Sequence, residues 1–303
     1  MEKETLKLQP SHGIFLHGMT AYAHLGNDPP LVALINAGAG IDSRYYERFA
    51  AFLAKSGIPT VVYDYRGIGR SRPKFMRGFD ASVEYWGSKD CAAVLEWLAN
   101  RFPGAKRLVI GHSIGGFLTG FAPNGHLIDQ MVLIGAHTGY WGDYAPSARP
   151  WMYVLWHVLM PLVTRAVGYF PGRRLHLLED LPRGVALEWA ARRHPDFWWN
   201  VRTPEGLPDT DRINEVLARF GAIRARVLAV RFADDPFATE AATRRVLGLY
   251  SGCVATEKLL TRADAGGQRI GHFGFFRSRF RDSLWPQVLQ WVQEEGAGGA
   301  APE

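Results

Sequence analysis

The stretch 106–117 reads KRLVIGHSIGGF and places a short apolar run directly before a G-x-S-x-G turn centred on Ser113. The pattern predicts a buried strand that delivers the serine to a tight turn at the start of a helix. In such a turn the residues two before and two after the serine crowd each other, so both must be small, as Gly111 and Gly115 are. The helix N-terminus favours negative charge beside the hydroxyl. Ser113 is therefore a candidate nucleophile, although the motif alone also occurs in ordinary strand-to-helix turns.

Strand-like and helix-like segments alternate on both sides of this stretch. The run 31–35, LVALI, is continuously apolar, which is typical of a strand buried on both faces of a parallel sheet. Apolar side chains recur at helical spacing over 45–53, 87–102 and 284–292. The predicted strands are 5–9, 12–23, 31–35, 59–65, 108–110, 131–134, 226–232 and 257–260. The alternation predicts an α/β fold with a mostly parallel central sheet, helices on both faces and an opening antiparallel pair.

The alternation stops between residues 138 and 208. We interpret 1–137 and 209–294 as the two parts of one α/β core and 138–208 as an insertion in it. Residues 295–303 have the composition of a disordered tail.

Aromatic side chains concentrate in this insertion. They are Tyr140, Trp141, Tyr144, Trp151, Tyr153, Trp156, Tyr169, Phe170, Trp189, Phe197, Trp198 and Trp199. The insertion could be a helical packing layer over the core, or a lid whose underside forms an apolar pocket above Ser113. On the second interpretation Tyr140 and Trp141 are the candidate substrate-binding residues.

The composition narrows the class of protein. The chain has 303 residues, of which 47% are hydrophobic, enough for one large core. A formal charge of +6 could suggest a nucleic-acid partner, but the basic residues are scattered and no Lys/Arg-rich run with interleaved aromatics occurs. We therefore expect a small-molecule substrate and no nucleic-acid partner.

The sequence offers no pattern for a cofactor, a metal or a membrane span. Cys91 and Cys253 have neither paired spacing nor a nearby histidine cluster. Residues 64–71, DYRGIGRS, lack the third glycine and the immediate helix of a dinucleotide-binding fingerprint. The polar N-terminus without a signal core favours a cytoplasmic protein. The most apolar segment, 152–163, is shorter than the about twenty residues that cross a bilayer, although it could contact a membrane surface.

A serine nucleophile needs a base within hydrogen-bond reach and a buried carboxylate that holds this base in the right tautomer. Asp235 and His272 each follow a later predicted strand, and the carboxyl ends of parallel strands gather at one edge of a sheet. Asp234 stays open as an alternative acid because a register slips easily by one residue, and Asp264 is a weaker third candidate. We predict a triad of Ser113, Asp235 and His272.

Ser113, Asp235 and His272, each after a strand and in this order, make the chain resemble the α/β-hydrolase superfamily. Within it the chain is similar to a bacterial group of predicted serine esterases of undefined substrate, which are serine aminopeptidase-like. This narrower similarity rests on YDYRGIGRSRP at 63–73, GHSIGG at 111–116, GYFPGRR at 168–174 and IGHFGFFR at 270–277. The resemblance extends over 31–294 apart from the insertion. It implies the α/β-hydrolase fold with a nucleophile elbow, an oxyanion hole and a helical lid.

The resemblance also implies how the tetrahedral intermediate is held. Two backbone N–H groups must face its oxyanion, and Ile114 is expected to supply one of them. Many similar hydrolases have His-Gly in the loop that supplies the other, where this chain has Asn36-Ala37. Gly38 is therefore the expected second donor, with Ala37 and Ala39 as alternatives.

The resemblance implies a function as well. Similar hydrolases often carry a proline four residues after the triad aspartate, and Thr239 holds that position relative to Asp235. The predicted reaction is hydrolysis of a carboxylic ester or thioester with an apolar acyl group, through an acyl-enzyme and without a cofactor. The alternatives are acyl transfer on the same triad and a catalytically silent protein that only binds a ligand.

Overall fold

The computed structural model describes residues 2–22, 29–196, 207 and 209–294. Its strands are β1 (Glu2–Ser11), β2 (Ile14–Tyr22), β3 (Leu31–Asn36), β4 (Thr60–Tyr63), β5 (Lys106–His112), β6 (Gln130–Ile134), β7 (Arg226–Phe232) and β8 (Val254–Leu260). They form one sheet in the order β1-β2-β4-β3-β5-β6-β7-β8. β1 pairs antiparallel with β2 and β2 with β4, whereas every other neighbouring pair is parallel. The predicted mostly parallel sheet with an opening antiparallel pair is confirmed.

The central strands are buried on both faces, and the outer ones are not. In β3 the side chains of residues 32–35 are almost completely buried, as a continuous apolar run requires. β8 lies at the edge of the sheet, and residues 254–257 are exposed there. The sequence predicted this strand only from residue 257, because an exposed edge strand carries no run of apolar residues.

Helices pack on both faces of the sheet. They are α1 (Glu47–Lys55), α2 (Val83–Tyr85), α3 (Ala92–Arg101), α4 (Ile114–Leu118), α5 (Arg149–Val154), α6 (Met160–Val167), α7 (Arg183–Ala191), α8 (Thr210–Ala222), α9 (Glu240–Leu249), α10 (Gly271–Gly274) and α11 (Trp285–Gln293). π-helical turns at Trp86–Cys91 and Leu155–Leu159 join α2 to α3 and α5 to α6. The helix predicted over 87–102 therefore begins earlier, at Val83, and contains an irregular turn that apolar periodicity does not reveal.

The chain between β6 and β7 carries α5, α6, α7 and α8. α6 packs against α7, which in turn contacts α2. Met160, Val185 and Trp189 are buried here, so this face covers the core as a packing layer does. The outer face of the continuous α5–α6 helix is apolar yet exposed, with the side chains Trp151, Val154, Val158 and Leu162.

Some of the residues singled out in the sequence lie outside the described part of the chain. They are Phe197, Trp198 and Trp199 of the aromatic insertion and the predicted tail 295–303. Within the described ranges, no helix is long and apolar enough to cross a bilayer.

Candidate active site

Ser113 occupies the sharp turn between β5 and α4. Its backbone φ is 56°, a left-handed value that a residue with a side chain adopts only under strain. The turn is possible because its neighbours lack side chains. A Cβ on Gly111 would lie 2.4 Å from the Cα of Gly116, and a Cβ on Gly115 would lie 2.2 Å from the carbonyl oxygen of Asn36. The strained turn holds the serine at the carboxyl end of β5, where helix α4 begins.

His272 and Asp235 meet Ser113 at this edge of the sheet. His272 Nε2 lies 3.0 Å from Ser113 Oγ, and His272 Nδ1 lies 2.7 Å from Asp235 Oδ2. His272 is the second residue of α10, after β8, and Asp235 lies in the loop after β7. All three side chains are buried, with exposed fractions of 5–6%. The structure thus brings together the three residues predicted from strand order.

The second oxygen of Asp235 is held by its own loop. Asp235 Oδ1 accepts hydrogen bonds from the backbone N–H groups of Phe237 at 2.8 Å and Ala238 at 3.1 Å. Burial acts to raise the pKa of this carboxyl, but His272 and the two N–H groups outweigh it, and the pKa lies below its usual value. Asp235 is therefore a carboxylate that faces the His272 ring.

Asp234 and Asp264, the alternative acids, do not reach His272. Asp234 accepts hydrogen bonds from the backbone N–H groups of Ile270 at 3.1 Å and Gly271 at 2.8 Å, so it holds the loop that leads into α10. Asp264 accepts from the backbone and the hydroxyl of Thr261, both at 2.8 Å. Asp235 thus contacts the His272 ring, whereas Asp234 contacts the backbone of the two residues before it.

The loop after β3 differs from the expectation for the oxyanion hole. The N–H of Gly38 donates to the hydroxyl of Tyr46 at 2.9 Å, so in this structure it does not face the serine as a free donor. This corrects the assignment of Gly38, whose partner Tyr46 was not anticipated because it lies in a separate helical turn eight residues further on. The N–H of Ile114 follows Ser113 in the first turn of α4, where helices leave N–H groups without intrahelical partners. Ala37 and Ala39 stay candidates for the second donor.

His112, beside the nucleophile, links this loop to the base. Its Nε2 lies 3.0 Å from the carbonyl oxygen of His272, and its Nδ1 lies 2.7 Å from the hydroxyl of Tyr46. Because a carbonyl only accepts, Nε2 carries the proton and Nδ1 accepts from Tyr46, whose oxygen in turn accepts from Gly38. Burial lowers the pKa of His112 to about 3, so the ring is neutral.

A second histidine contacts the nucleophile and was missed in the sequence. His137 Nε2 lies 3.0 Å from Ser113 Oγ, and His137 Nδ1 accepts a hydrogen bond from the Gly139 N–H at 3.0 Å. The ring is buried and packs edge-on against Tyr144 and Trp189 of the insertion. A signal for it exists, because His137 follows β6 at the same edge of the sheet as the triad residues follow their strands.

The predicted substrate-binding residues lie within the insertion. Trp141 donates from Nε1 to the carbonyl of Arg193 at 3.1 Å and packs edge-on against Tyr153. The guanidinium carbon of Arg245 lies over the Tyr140 ring, 5.3 Å from the ring centroid. In the described part of the chain, no hydrogen bond or ring contact joins either residue to the triad. Their contact with substrate remains a prediction, and Trp151, at 56% exposure, faces solvent rather than a covered pocket.

The motif at 63–73 has a structural role. Asp64 accepts hydrogen bonds from the backbone of Ser43 at 2.7 Å and of Arg70 at 3.0 Å, and Arg66 forms a buried ion pair with Asp90. These contacts fasten the loop after β4 to its neighbours. No group of three or more histidine, cysteine or acidic side chains within the described ranges is arranged to hold a metal ion.

Comparison with known proteins identifies the fold. Among solved structures, a thermophilic esterase from Thermogutta terrifontis superposes with a TM-score of 0.60 at 15% identity, over 96% of this chain and 98% of the other. An esterase from Pyrococcus furiosus gives 0.58 at 16% over 96% and 91%, and one from Rhodococcus sp. ECU1013 gives 0.56 at 17% over 96% and 99%. At these identities the likeness shows the α/β-hydrolase fold, as the motifs predicted.

The family follows from the sequence itself. The profile of the family described as serine aminopeptidase, S33 matches residues 28–261, from just before β3 to just after β8. Because this match covers most of the chain, the protein belongs to the serine aminopeptidase S33 family of α/β-hydrolases.

Proposed function

We propose that this protein is a serine hydrolase that cleaves a carboxylic ester or thioester through an acyl-enzyme. The observation that carries the proposal is the continuous pair of hydrogen bonds from Ser113 Oγ to His272, at 3.0 Å, and from His272 to Asp235, at 2.7 Å. A hydroxyl, an imidazole and an ionised carboxylate at these distances are the parts that activate a serine. Membership in the S33 family supports the same chemistry.

In the first half of the reaction His272 Nε2 takes the proton of Ser113, and Oγ attacks the substrate carbonyl carbon. The oxyanion that forms is met by the N–H of Ile114 and by a second donor from the loop after β3. Asp235 stabilises the imidazolium, which then gives its proton to the leaving alcohol or thiol. In the second half His272 activates a water molecule, which releases the acyl group as a carboxylic acid.

We further propose that residues 138–208 form a lid whose inner side receives an apolar acyl group. Two aromatic side chains of this segment, Tyr144 and Trp189, are buried beside His137, which itself contacts the nucleophile. An acyl chain that reaches Ser113 from this side meets apolar surface, where each buried methylene contributes about 0.8 kcal/mol. Tyr140 and Trp141 are proposed to line the entrance.

A fluorophosphonate probe tests the nucleophile, and a substrate panel tests the reaction. Wild type should be labelled and Ser113→Ala should not, while p-nitrophenyl esters and acyl-CoA thioesters separate the two substrate classes. A burst of released leaving group would show the acyl-enzyme. If an added alcohol or thiol takes up the acyl group faster than water does, the reaction is acyl transfer instead. An unlabelled wild type would point to a protein that only binds its ligand.

A further inference from the structure

Ser113 Oγ lies between two imidazole rings. The Nε2 atoms of His272 and of His137 are each 3.0 Å from it, and the two ring centroids are 5.4 Å apart. The proposed triad accounts for His272 and gives no role to His137. A buried histidine in direct contact with the nucleophile needs a role of its own, because the two rings cannot both take the serine proton.

In each ring the hydrogen-bond partner of Nδ1 determines which nitrogen carries the proton. His272 Nδ1 faces Asp235, and a carboxylate only accepts, so Nδ1 carries the proton and Nε2 has a free lone pair. His137 Nδ1 faces the backbone N–H of Gly139, which only donates, so this Nδ1 must offer a lone pair. The proton of a neutral His137 is therefore on Nε2. Ser113 thus donates its hydroxyl proton to His272 and accepts a hydrogen bond from His137.

The surroundings of His137 keep the ring neutral. A proton on Nδ1 would point at the Gly139 N–H, and burial lowers the pKa of the ring well below its usual value. The neighbouring His272 and Arg192 also lower the pKa of His137, because a positive charge on His137 would be repelled by theirs. The buried guanidinium of Arg192 donates to the carbonyl of Thr138 at 2.5 Å. His137 is held as a neutral donor rather than as an acid that loses its proton.

Building on the proposed hydrolase function, we propose that His137 is a further catalytic residue, whose Nε2–H donates to Ser113 Oγ and stabilises the negative charge that develops there. During attack the serine proton moves to His272, an electron pair of Oγ forms the bond to the carbonyl carbon, and the carbonyl π pair moves to its oxygen. When the acyl group leaves, the Oγ–carbon bond breaks, the pair returns to Oγ, and His272 returns the proton. His137 keeps its own proton throughout.

This hydrogen bond is strongest where it accelerates the reaction. Hydrogen bonds to charged oxygens are about twice as strong as those to neutral ones, and the ester oxygen of an acyl-enzyme is a poor acceptor. The interaction therefore stabilises the transition states for attack by Oγ and for release of the acyl group more than it stabilises the free serine or the acyl-enzyme. Because it occupies one lone pair of Oγ, it also turns the hydroxyl proton towards His272.

Variants of two histidines test the proposal. His137→Phe keeps a ring but removes the donor, His137→Gln restores an N–H donor, and His126→Phe is the control, since His126 is an exposed histidine outside the proposed lid. His137→Phe should lower kcat on a p-nitrophenyl ester about ten- to hundredfold, with KM changed much less, since a single donor to a developing oxyanion has effects of this order or larger. The rate of fluorophosphonate labelling should fall in parallel, His137→Gln should regain part of both, and His126→Phe should match wild type.

A second measurement reads the proton directly. In wild-type protein labelled with ¹⁵N, His137 at neutral pH should show a protonated Nε2 and an unprotonated Nδ1, because Nδ1 accepts from the Gly139 N–H and burial keeps the ring neutral. An unprotonated Nε2 would overturn the proposal even if the His137 variants failed to fold. Equal losses in His137→Phe and His137→Gln would assign the effect to packing and overturn the donor role.

The same experiments separate this inference from the proposed function. If Ser113→Ala keeps the turnover of wild type, the serine mechanism itself is wrong. If Ser113→Ala is inactive and His137→Phe is labelled and turns over at the wild-type rate, the serine mechanism stands and the role of His137 falls.

Discussion

The sheet edge and the insertion place side chains around Ser113 by different means. Asp235 and His272 arrive there because their loops follow β7 and β8, and parallel strands deliver their carboxyl ends to one edge whatever lies between them. Tyr144 and Trp189 are positioned by packing within a segment that obeys no such rule. The residues proposed to carry the chemistry can therefore be inferred from strand order, whereas the shape of the site depends on contacts that only the folded chain reveals.

The largest expected effect tests the sheet edge. Ser113→Ala and His272→Ala should each lower kcat/KM for an ester by about 10⁴-fold or more, because the triad acts as a unit. For the same reason the double variant should be no worse than either single one. Independent losses that multiply in the double variant would show that the two residues do not share one reaction step.

The next effect separates two adjacent residues of the same edge. Asp235→Asn should lower kcat about 10⁴-fold, since it replaces the carboxylate that holds the proton on His272 Nδ1. Asp234→Asn keeps one of the two oxygens that accept from Ile270 and Gly271 and leaves the triad itself intact, so its loss of kcat should be less than about tenfold. Circular dichroism and melting temperature check that both variants fold, and the opposite ranking would move the acid to Asp234.

A smaller effect tests whether the insertion contributes to specificity. If it holds the acyl group, kcat/KM should rise about a hundredfold from acetyl to medium-chain p-nitrophenyl esters, as four more buried methylenes imply. Trp141→Ala should flatten this rise. Trp291→Ala is the matched control, because Trp291 packs on the far side of the core against Arg226 and should change melting temperature alone.

The outcomes for Trp141 decide between the two interpretations of the insertion. A lower melting temperature with an unchanged chain-length profile would make the segment a packing layer. A wild type that prefers acetyl esters would remove the acyl pocket and leave a hydrolase of small esters.

The last prediction concerns the pH dependence of the free energy of unfolding, and it compares the buried His112 beside Ser113 with a histidine on the surface. Burial lowers the pKa of His112 to about 3 in the folded protein, whereas an unfolded chain has a histidine pKa of about 6.5. Between these values the unfolded chain binds a proton that the folded chain does not. The free energy of unfolding should therefore fall as the pH falls below about 6.5, by up to about 1.4 kcal/mol per pH unit from this group.

Urea unfolding between pH 4.5 and 6.5 measures this slope. His112→Gln cannot titrate, so the unfolding free energy of the variant should depend less steeply on pH than that of wild type. His126→Gln, which replaces an exposed histidine in the same way, is the matched control. Equal slopes in wild type and His112→Gln would mean that His112 is protonated in the folded state.

The sequence predicted the features that follow from periodicity and strand order, and not those that follow from contacts across the fold. The predicted strand 226–232 has the observed bounds, and the positions of Ser113, Asp235 and His272 after their strands follow from the sequence pattern. His137 obeys the same strand-end rule, but nothing in its local sequence distinguishes it from a structural histidine.

Other features have no local signature at all. The hydrogen bond of the Gly38 N–H depends on where a tyrosine hydroxyl lies in the folded chain, which a motif comparison does not report. The π-helical turn at Trp86–Cys91 is stabilised from outside, since Asp90 within it pairs with the buried Arg66. Periodicity reads one segment at a time and cannot report either contact.

Gly38, Tyr46, His112 and the carbonyl of His272 form one line of alternating donors and acceptors. Each member fixes the direction in which the next one points its hydrogen. Tyr46→Phe would therefore leave both the Gly38 N–H and His112 Nδ1 without a hydrogen-bond partner. Each unpaired buried polar group lowers the free energy of unfolding by about 1–3 kcal/mol. A substitution at position 46 should therefore be accompanied by one at position 112, so we expect these two positions to covary among homologous proteins.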